Sequence, residues 1–204
     1  MIDLQAAVTR CREMENRLLR TRLLPPPELT VSEWADAHRV LSREASAEPG
    51  QWHTSRAPYL RGIMDAFSEP GIDTVVGMLA AQSGKTEVIL NVLGYHMDQD
   101  PAPCLVIQPT VEMGQAFSKD RLAPMLRNSP RLAHLVSPAK SRDANNTILH
   151  KKYPGGHVTI AGANSAASLA SRPIRVVLED EVDRYPPSTG TEGDPGALAE
   201  KRTA

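Results

Sequence analysis

Apolar positions change their period several times along this chain, and each change marks a boundary between elements. Over residues 3–24, Leu4, Ala7, Val8, Cys11, Leu18 and Leu19 fall among interleaved Arg and Glu, which predicts an amphipathic helix. Pro25-Pro26-Pro27 ends it and acts as a stiff spacer. Thr30-Val31-Ser32-Glu33 has the form of a capping box, and predicts a helix carrying Trp34, Ala37 and Leu41. Residues 42–54 are polar, contain Pro49-Gly50 and read as a loop, whereas 58–67 return to helical spacing. After the turn Glu69-Pro70-Gly71, the apolar β-rich run 72–79 predicts a strand, 80–86 a loop and 87–93 an apolar helix. A turn over 98–103 leads to a second core strand, 104–107, ended by Gln108-Pro109-Thr110. A helix with Met113, Ala116 and Phe117 follows to about Leu126, and then a basic, proline-broken segment, 127–138. Two strands, 147–150 and 157–160, flank the hairpin-type turn Tyr153-Pro154-Gly155-Gly156. Residues 162–173 form a small-residue loop or weak helix, Val176-Val177-Leu178 a buried strand, and 185–196 a Pro- and Gly-rich loop. No internal repeat is visible.

Composition narrows the picture. A chain of 204 residues suits one domain, or one plus a small appendage. Aromatic residues make up only 4%, so Leu, Val, Ile and Ala must fill the core. The net charge of −1 argues against a uniformly basic nucleic-acid binder. The distribution is uneven, however. Residues 119–152 hold eight Lys/Arg and two acids, and residues 176–200 hold seven acids and one Arg. The basic stretch is a candidate for contact with DNA phosphates, or an ordinary solvated surface. Cys104 sits in an apolar run and reads as a buried thiol, and neither it nor Cys11 has metal-ligand spacing. The six histidines show no such spacing either, and Trp34 and Trp52 read as packing residues. No apolar signal region and no membrane-length segment is present, which leads us to expect a soluble protein of a reducing compartment. Ser165, Ser168 and Ser171 would line one helical face without a base partner, which argues for packing or γ-phosphate sensing over a serine nucleophile.

Two motifs carry the chemistry. The first is Ala80-Ala81-Gln82-Ser83-Gly84-Lys85-Thr86, between the expected strand and helix. A triphosphate needs backbone N–H groups at a helix N-terminus, where the helix dipole favours negative charge. Gly84 lets backbone approach phosphate with no Cβ in the way. Lys85 is placed to reach the β- and γ-phosphates, and the Thr86 hydroxyl to hold Mg²⁺. The pattern departs from G-x-x-x-x-G-K-[ST], because Leu79 stands where the first glycine belongs. The second motif is Val176-Val177-Leu178-Glu179-Asp180-Glu181, a continuous apolar run ending in acids. Acids at the carboxyl end of such a strand fall where open α/β sheets bind ligands. Asp180 is the candidate for Mg²⁺, through water, and Glu181 the candidate base that orients an attacking water. Glu179 also fits the acid cluster, which leaves the register open. A solvated Ser-Gly-Lys-Thr turn and an exposed acidic turn are the plainer readings, but the two motifs in this order answer each other.

From about Leu29 to the last residue the chain resembles the N-terminal ATPase region of phage terminase large subunits of the lambda-like GpA family. The resemblance rests on Val31-Ser32-Glu33-Trp34-Ala35, the Pro58-Tyr59 to Met64 helix, Ala81-Gln82-Ser83-Gly84-Lys85-Thr86-Glu87, Ser171-Arg172-Pro173-Ile174-Arg175 and Asp180-Glu181-Val182-Asp183-Arg184-Tyr185-Pro186. It implies an α/β P-loop NTPase of the ASCE type, with a mostly parallel sheet flanked by helices and a helical N-terminal appendage. The boundaries expected are a helical segment with its Pro-rich spacer over 1–50 and the ATPase domain over 51–204. By matching positions, Gln82, Ser83, Gly84, Lys85 and Thr86 would bind phosphate and Mg²⁺, with Asp180 as metal acid and Glu181 as catalytic acid. The segment from Gln51 to Arg61, with Tyr59 and Arg61, would contact adenine. Many terminases carry an arginine where Ala81 stands, so Arg172 and Arg175 become candidates for the charge-stabilising arginine. The implied ligands are ATP and Mg²⁺. The implied function is packaging of double-stranded DNA into procapsids in the cytoplasm of a bacterial host, by a homo-oligomer working with a small terminase subunit and the portal ring, away from any membrane. The family continues into a further core strand and a nuclease domain, so the chain reads as truncated at its C-terminus and no nuclease is assigned to it. A helicase-like P-loop ATPase, suggested by the D-E-x-D form of 180–183, and a non-catalytic remnant that binds nucleotide or partners are the competing readings.

Overall fold

The computed structural model describes residues 5, 9–15, 27–136, 146–165, 169 and 173–203. Residues 9–15 form helix α1, within the predicted first helix; apart from residue 5, the rest of that helix and Pro25-Pro26 lie outside the described residues. Helix α2 (Val31–His38) starts where the capping box predicts. Thr30 Oγ1 accepts from Glu33 N at 3.4 Å, and Thr30 N donates to Glu33 Oε2 at 2.9 Å. It ends at His38, before Leu41, because Arg39 turns to extended backbone. Val40–Leu41 (β1) then pairs antiparallel with Gly50–Gln51 (β2), so the end of the predicted helix and part of the predicted loop form a small ribbon instead. Pro58–Leu60 forms a 3₁₀ turn that runs into helix α3 (Arg61–Ala66). Helix α4 (Lys85–Asp98) is longer than the apolar run alone indicates.

The main sheet is mixed. Strand β3 (Cys104–Gln108) pairs in parallel with β5 (Gly156–Gly162) on one side and with β6 (Val176–Glu179) on the other. Strand β4 (His150–Tyr153) is antiparallel to β5, giving the order β4-β5-β3-β6. The hairpin turn is tighter than expected: Pro154-Gly155 alone connects the strands, with Gly155 at φ +82°. Between β3 and β4 the chain runs through α5 (Val111–Ala116), a π-helical stretch Phe117–Leu122, and α6 (Ala123–Asn128). Pro124 has no N–H to return to the preceding turn, and the π stretch sits where that bond is lost. Helix α7 (Pro195–Glu200) follows β6, capped by Asp194, whose Oδ1 accepts from Ala197 N at 2.8 Å.

Alternation along the strands divides the interior in two. Cys104 and Val106 of β3, Val158 and Ile160 of β5, and Leu178 of β6 face a core built with α2, α4 and α6. Leu105 and Ile107 face a smaller one with Ala161, Ala163, Ile174 and Ala199 of α7. Cys104 is fully buried, and burial pushes its thiol up to about 12, so it is an inert packing group as expected.

Trp34 joins α2 to α4. Its ring is fully buried and its Nε1 donates to Asp98 Oδ2 at 2.9 Å. A Cβ at Gly94 would lie 2.2 Å from Trp34 Cη2. Gly→Ala within a helix ordinarily gains roughly 0.5–1 kcal/mol. Here overpacking reverses the sign, and Gly94→Ala is expected to lose about 1–3 kcal/mol. A lower urea midpoint at unchanged slope is the expected reading; an unchanged or raised midpoint contradicts the packing.

One predicted strand is absent. Residues 72–79 form no ladder, and Val76 and Met78 are 87% and 99% exposed. Strand propensity is expressed only against a partner edge and a buried face. Both edges of β3 are occupied, β6 ends the sheet among the described residues, and 72–79 reach neither its outer edge nor a buried face.

Candidate functional site

The first motif forms the turn that enters α4. Gly84 is the N-cap at φ +91°, with no side-chain cap on the helix N-terminus. Leu60 packs directly on it: a Cβ at Gly84 would meet Leu60 Cδ1 at 2.9 Å. Both the backbone angle and the contact therefore require glycine there. Ser83 Oγ donates to Ala80 O at 2.6 Å and closes the turn, and Tyr59 Oη donates to Ser83 O at 3.2 Å. Gln82 is at φ +56°. Among the described residues, no hydrogen bond or ion pair takes up the Lys85 ammonium or the Thr86 hydroxyl. The turn is thus an uncapped N-terminus of a 14-residue helix with an uncommitted cation in its first turn, which fits a phosphate group.

Glu87 anchors this helix start. Arg39, 3% exposed, places Nη2 2.8 Å from Glu87 Oε2, and its Nη1 donates to Val40 O at 2.8 Å. Burial pulls the Arg39 guanidinium below its ordinary value, and Glu87 opposes the shift. Arg121 approaches the other Glu87 oxygen at 4.0 Å. Sequence reasoning missed this clamp, because Arg39 lies 48 residues away with no local pattern to mark it.

The second motif ends β6, and alternation there sorts the three acids. Leu178 and Asp180 share the face of the larger core, which includes α4. Asp180 is nine-tenths buried, and its Oδ2 accepts from Gln108 Nε2 at 3.1 Å. Its partner is a neutral amide and, among the described residues, no cation pairs with it, so this carboxylate suits a hard cation held through one acid and water. Glu179 points to the opposite face, near Gly196, with Oε1 buried and without a donor. Burial first, then Glu200 and Asp194, raises its carboxyl above the ordinary range. Glu181 follows at φ +53°, its Oε2 held 2.6 Å from Arg184 Nη1.

The remaining candidates fall as follows. Arg61 turns toward α2, with Nη1 donating to Ser32 Oγ at 3.4 Å and Nη2 4.0 Å from Asp36 Oδ2. Arg175 precedes β6, at the end of the strand away from Asp180, and makes a two-point ion pair with Asp100, one arm at 3.1 Å. That position leaves it structural. Arg172, Ser168 and Ser171 lie outside the described residues. No hydrogen bond or ion pair joins the 80–86 turn to Asp180 or Glu181. In the basic stretch, Arg127 pairs with Glu44 at 2.6 Å and Arg131 with Asp98 at 3.1 Å, while Lys151 is buried and donates to Thr147 O. Three of the stretch's eight Lys/Arg, counting Arg121 beside Glu87, therefore pair with acids of the protein. Lys140 and Arg142 lie outside the described residues. Among the described residues no group of three or more His, Cys, Asp or Glu could hold a metal, and no helix is long and apolar enough to cross a membrane.

Residues 46–204 match the family described as phage terminase large subunit gpA, ATPase domain. The chain is 30% identical over 181 residues to the terminase large subunit of Enterobacteria phage P21, covering 88% of this chain and 28% of that protein. It is 28% identical over 196 residues to the terminase large subunit of Escherichia phage lambda, covering 96% of this chain and 30% of that protein. The chain thus spans under a third of the length of these curated relatives. No solved structure shows a significant match.

Proposed function

We infer that this chain, which belongs to the gpA family of phage terminase large subunits through that family's ATPase domain, is a P-loop NTPase of the ASCE type that binds ATP with Mg²⁺ and hydrolyses it to drive packaging of double-stranded DNA. The observation that carries the reading is the uncapped start of α4, with Gly84 left-handed, Leu60 packed against it and Lys85 unpaired. In this reading the backbone N–H groups of 82–86 and the Lys85 ammonium bind the β- and γ-phosphates. Gln82 and Ser83 shape the turn, and Tyr59, fixed on Ser83, borders the nucleotide. Arg61 belongs to the adenine-side segment through its neighbours on α2. Thr86 and Asp180 hold the Mg²⁺, which when bound neutralises charge developing on the phosphates. Glu181 orients the attacking water and accepts its proton. Arg172 is the candidate for stabilising transition-state charge, since Arg175 is committed to Asp100.

By extension from the relatives, the working assembly is a homo-oligomer on duplex DNA in the host cytoplasm, with a small terminase subunit and the portal ring as partners. The domain limits that go with this are an N-terminal helical segment over 1–50 and the ATPase unit over 51–204. Phosphate release in Mg²⁺, with and without linear duplex DNA, tests the coupling. The expected result is turnover that duplex accelerates; turnover indifferent to duplex contradicts the motor reading and leaves a plain ATPase.

A further inference from the structure

We propose that Gln108 is a positioning residue for the metal site: its side-chain amide fixes the Asp180 carboxylate and thereby sets the affinity of the site for the divalent cation. The proposal rests on the reading of Asp180 as the Mg²⁺ acid. The sheet register makes the contact. Ile107 lies opposite Glu179 in the parallel β3–β6 ladder, so the next residues along, Gln108 and Asp180, are cross-strand neighbours. Gln108 shares the parity of Cys104 and Val106, and Asp180 that of Leu178, so both face the core shared with α4. Both main chains are pinned: Asp180 N donates to Ile107 O at 3.1 Å, and Gln108 O accepts from Ala163 N at 2.8 Å. Gln108 is 4% and Asp180 9% exposed.

The chemistry of the pair is specific. The amide donates to Oδ2 at 3.1 Å, and Oδ1 accepts from no described residue. One carboxylate oxygen is therefore held while the other stays available. A neutral donor orients the carboxylate without cancelling its charge, whereas a lysine or arginine there would compete with a dication. Partners that orient a metal-binding group typically account for about 10- to 100-fold in metal affinity.

The test measures binding of Mn²⁺, read by its electron paramagnetic resonance signal in the presence of ADP, to wild type, Gln108→Met, Asp180→Asn and the double variant. Gln108→Met is expected to raise the Mn²⁺ concentration at half-saturation about 10- to 100-fold. Binding of ATP in EDTA should be unchanged. In the Asp180→Asn background Gln108→Met should add nothing, because it acts only through Asp180. If thermal unfolding shows that Gln108→Met does not fold, Gln108→Asn keeps the amide, shortens its reach by a methylene and carries the same expectation. Unchanged half-saturation in a folded Gln108 variant, or an equal added loss in the Asp180→Asn background, overturns the proposal. If Asp180→Asn weakens Mn²⁺ binding and the Gln108 variants do not, only the positioning role falls. If Asp180→Asn binds as wild type does, or wild type binds no Mn²⁺, the metal-acid reading falls with it.

Discussion

Glu181→Gln is expected to lower ATP turnover by about 10²- to 10⁴-fold, the usual contribution of a positioned general base, while ATP binding stays near wild type. The substitution is nearly isosteric. Its amide oxygen can still accept from Arg184, which now holds Glu181 Oε2 at 2.6 Å, so the turn keeps its main restraint. In the proposed mechanism, what is lost is the negative charge that orients the water and accepts its proton. The backbone adds to the argument. Among the described residues only two non-glycines have positive φ, Gln82 and Glu181, and they belong to the two motifs. Left-handed backbone at such residues has a free-energy penalty of order 1–3 kcal/mol and tends to persist at functional positions. Retained turnover in Glu181→Gln moves the base elsewhere, and Glu179 is a poor substitute on the far face of the sheet.

Lys85→Ala is expected to weaken ATP binding. A hydrogen bond to a charged group contributes about 1.5–3 kcal/mol, which corresponds to roughly 10- to 150-fold in Kd. Turnover should fall further, because in the proposed mechanism the same ammonium also neutralises charge in the transition state. The structure motivates the size: no described residue competes for this ammonium, so its whole charge is available to phosphate. Equilibrium titration with a fluorescent ATP analogue measures the first effect. A Kd equal to that of wild type contradicts the assignment of the 80–86 turn.

The sequence made some of this legible and hid the rest for physical reasons. The runs 104–107 and 176–178 read out as strands because a strand covered on both faces is a continuous apolar run; β3 is buried throughout, whereas β6 is half-buried with Leu178 in the core. The cap at Thr30 read out because its hydrogen bonds are local. The run 72–79 misled, because its β-rich composition carries no information on whether a partner edge exists. Leu41 fits the helical period from Trp34 and Ala37, yet Arg39 is drawn away to Glu87, 48 residues on. Which of Glu179 and Asp180 faces α4 is not legible in the acid run itself; it follows from parity once Leu178 is seen in the core, with Asp180 on that face and Glu179 on the other. Gln108 was visible as a polar residue ending an apolar strand, a signal that acquires meaning once β3 and β6 are known to be parallel neighbours. In the charge run over 119–152, the pairing of Arg127 with Glu44 and of Arg131 with Asp98 was hidden because both acids are distant in sequence.

The most direct test of the central claim is calorimetric titration of ATP into the wild-type chain, in Mg²⁺ and in EDTA, since binding at the 80–86 turn does not depend on DNA or on turnover. The account predicts saturable binding of one ATP per chain, tighter in Mg²⁺ and displaced by ADP. No saturable binding in either condition would contradict it, and would reduce the turn before α4 to a packing feature beneath Tyr59 and Leu60.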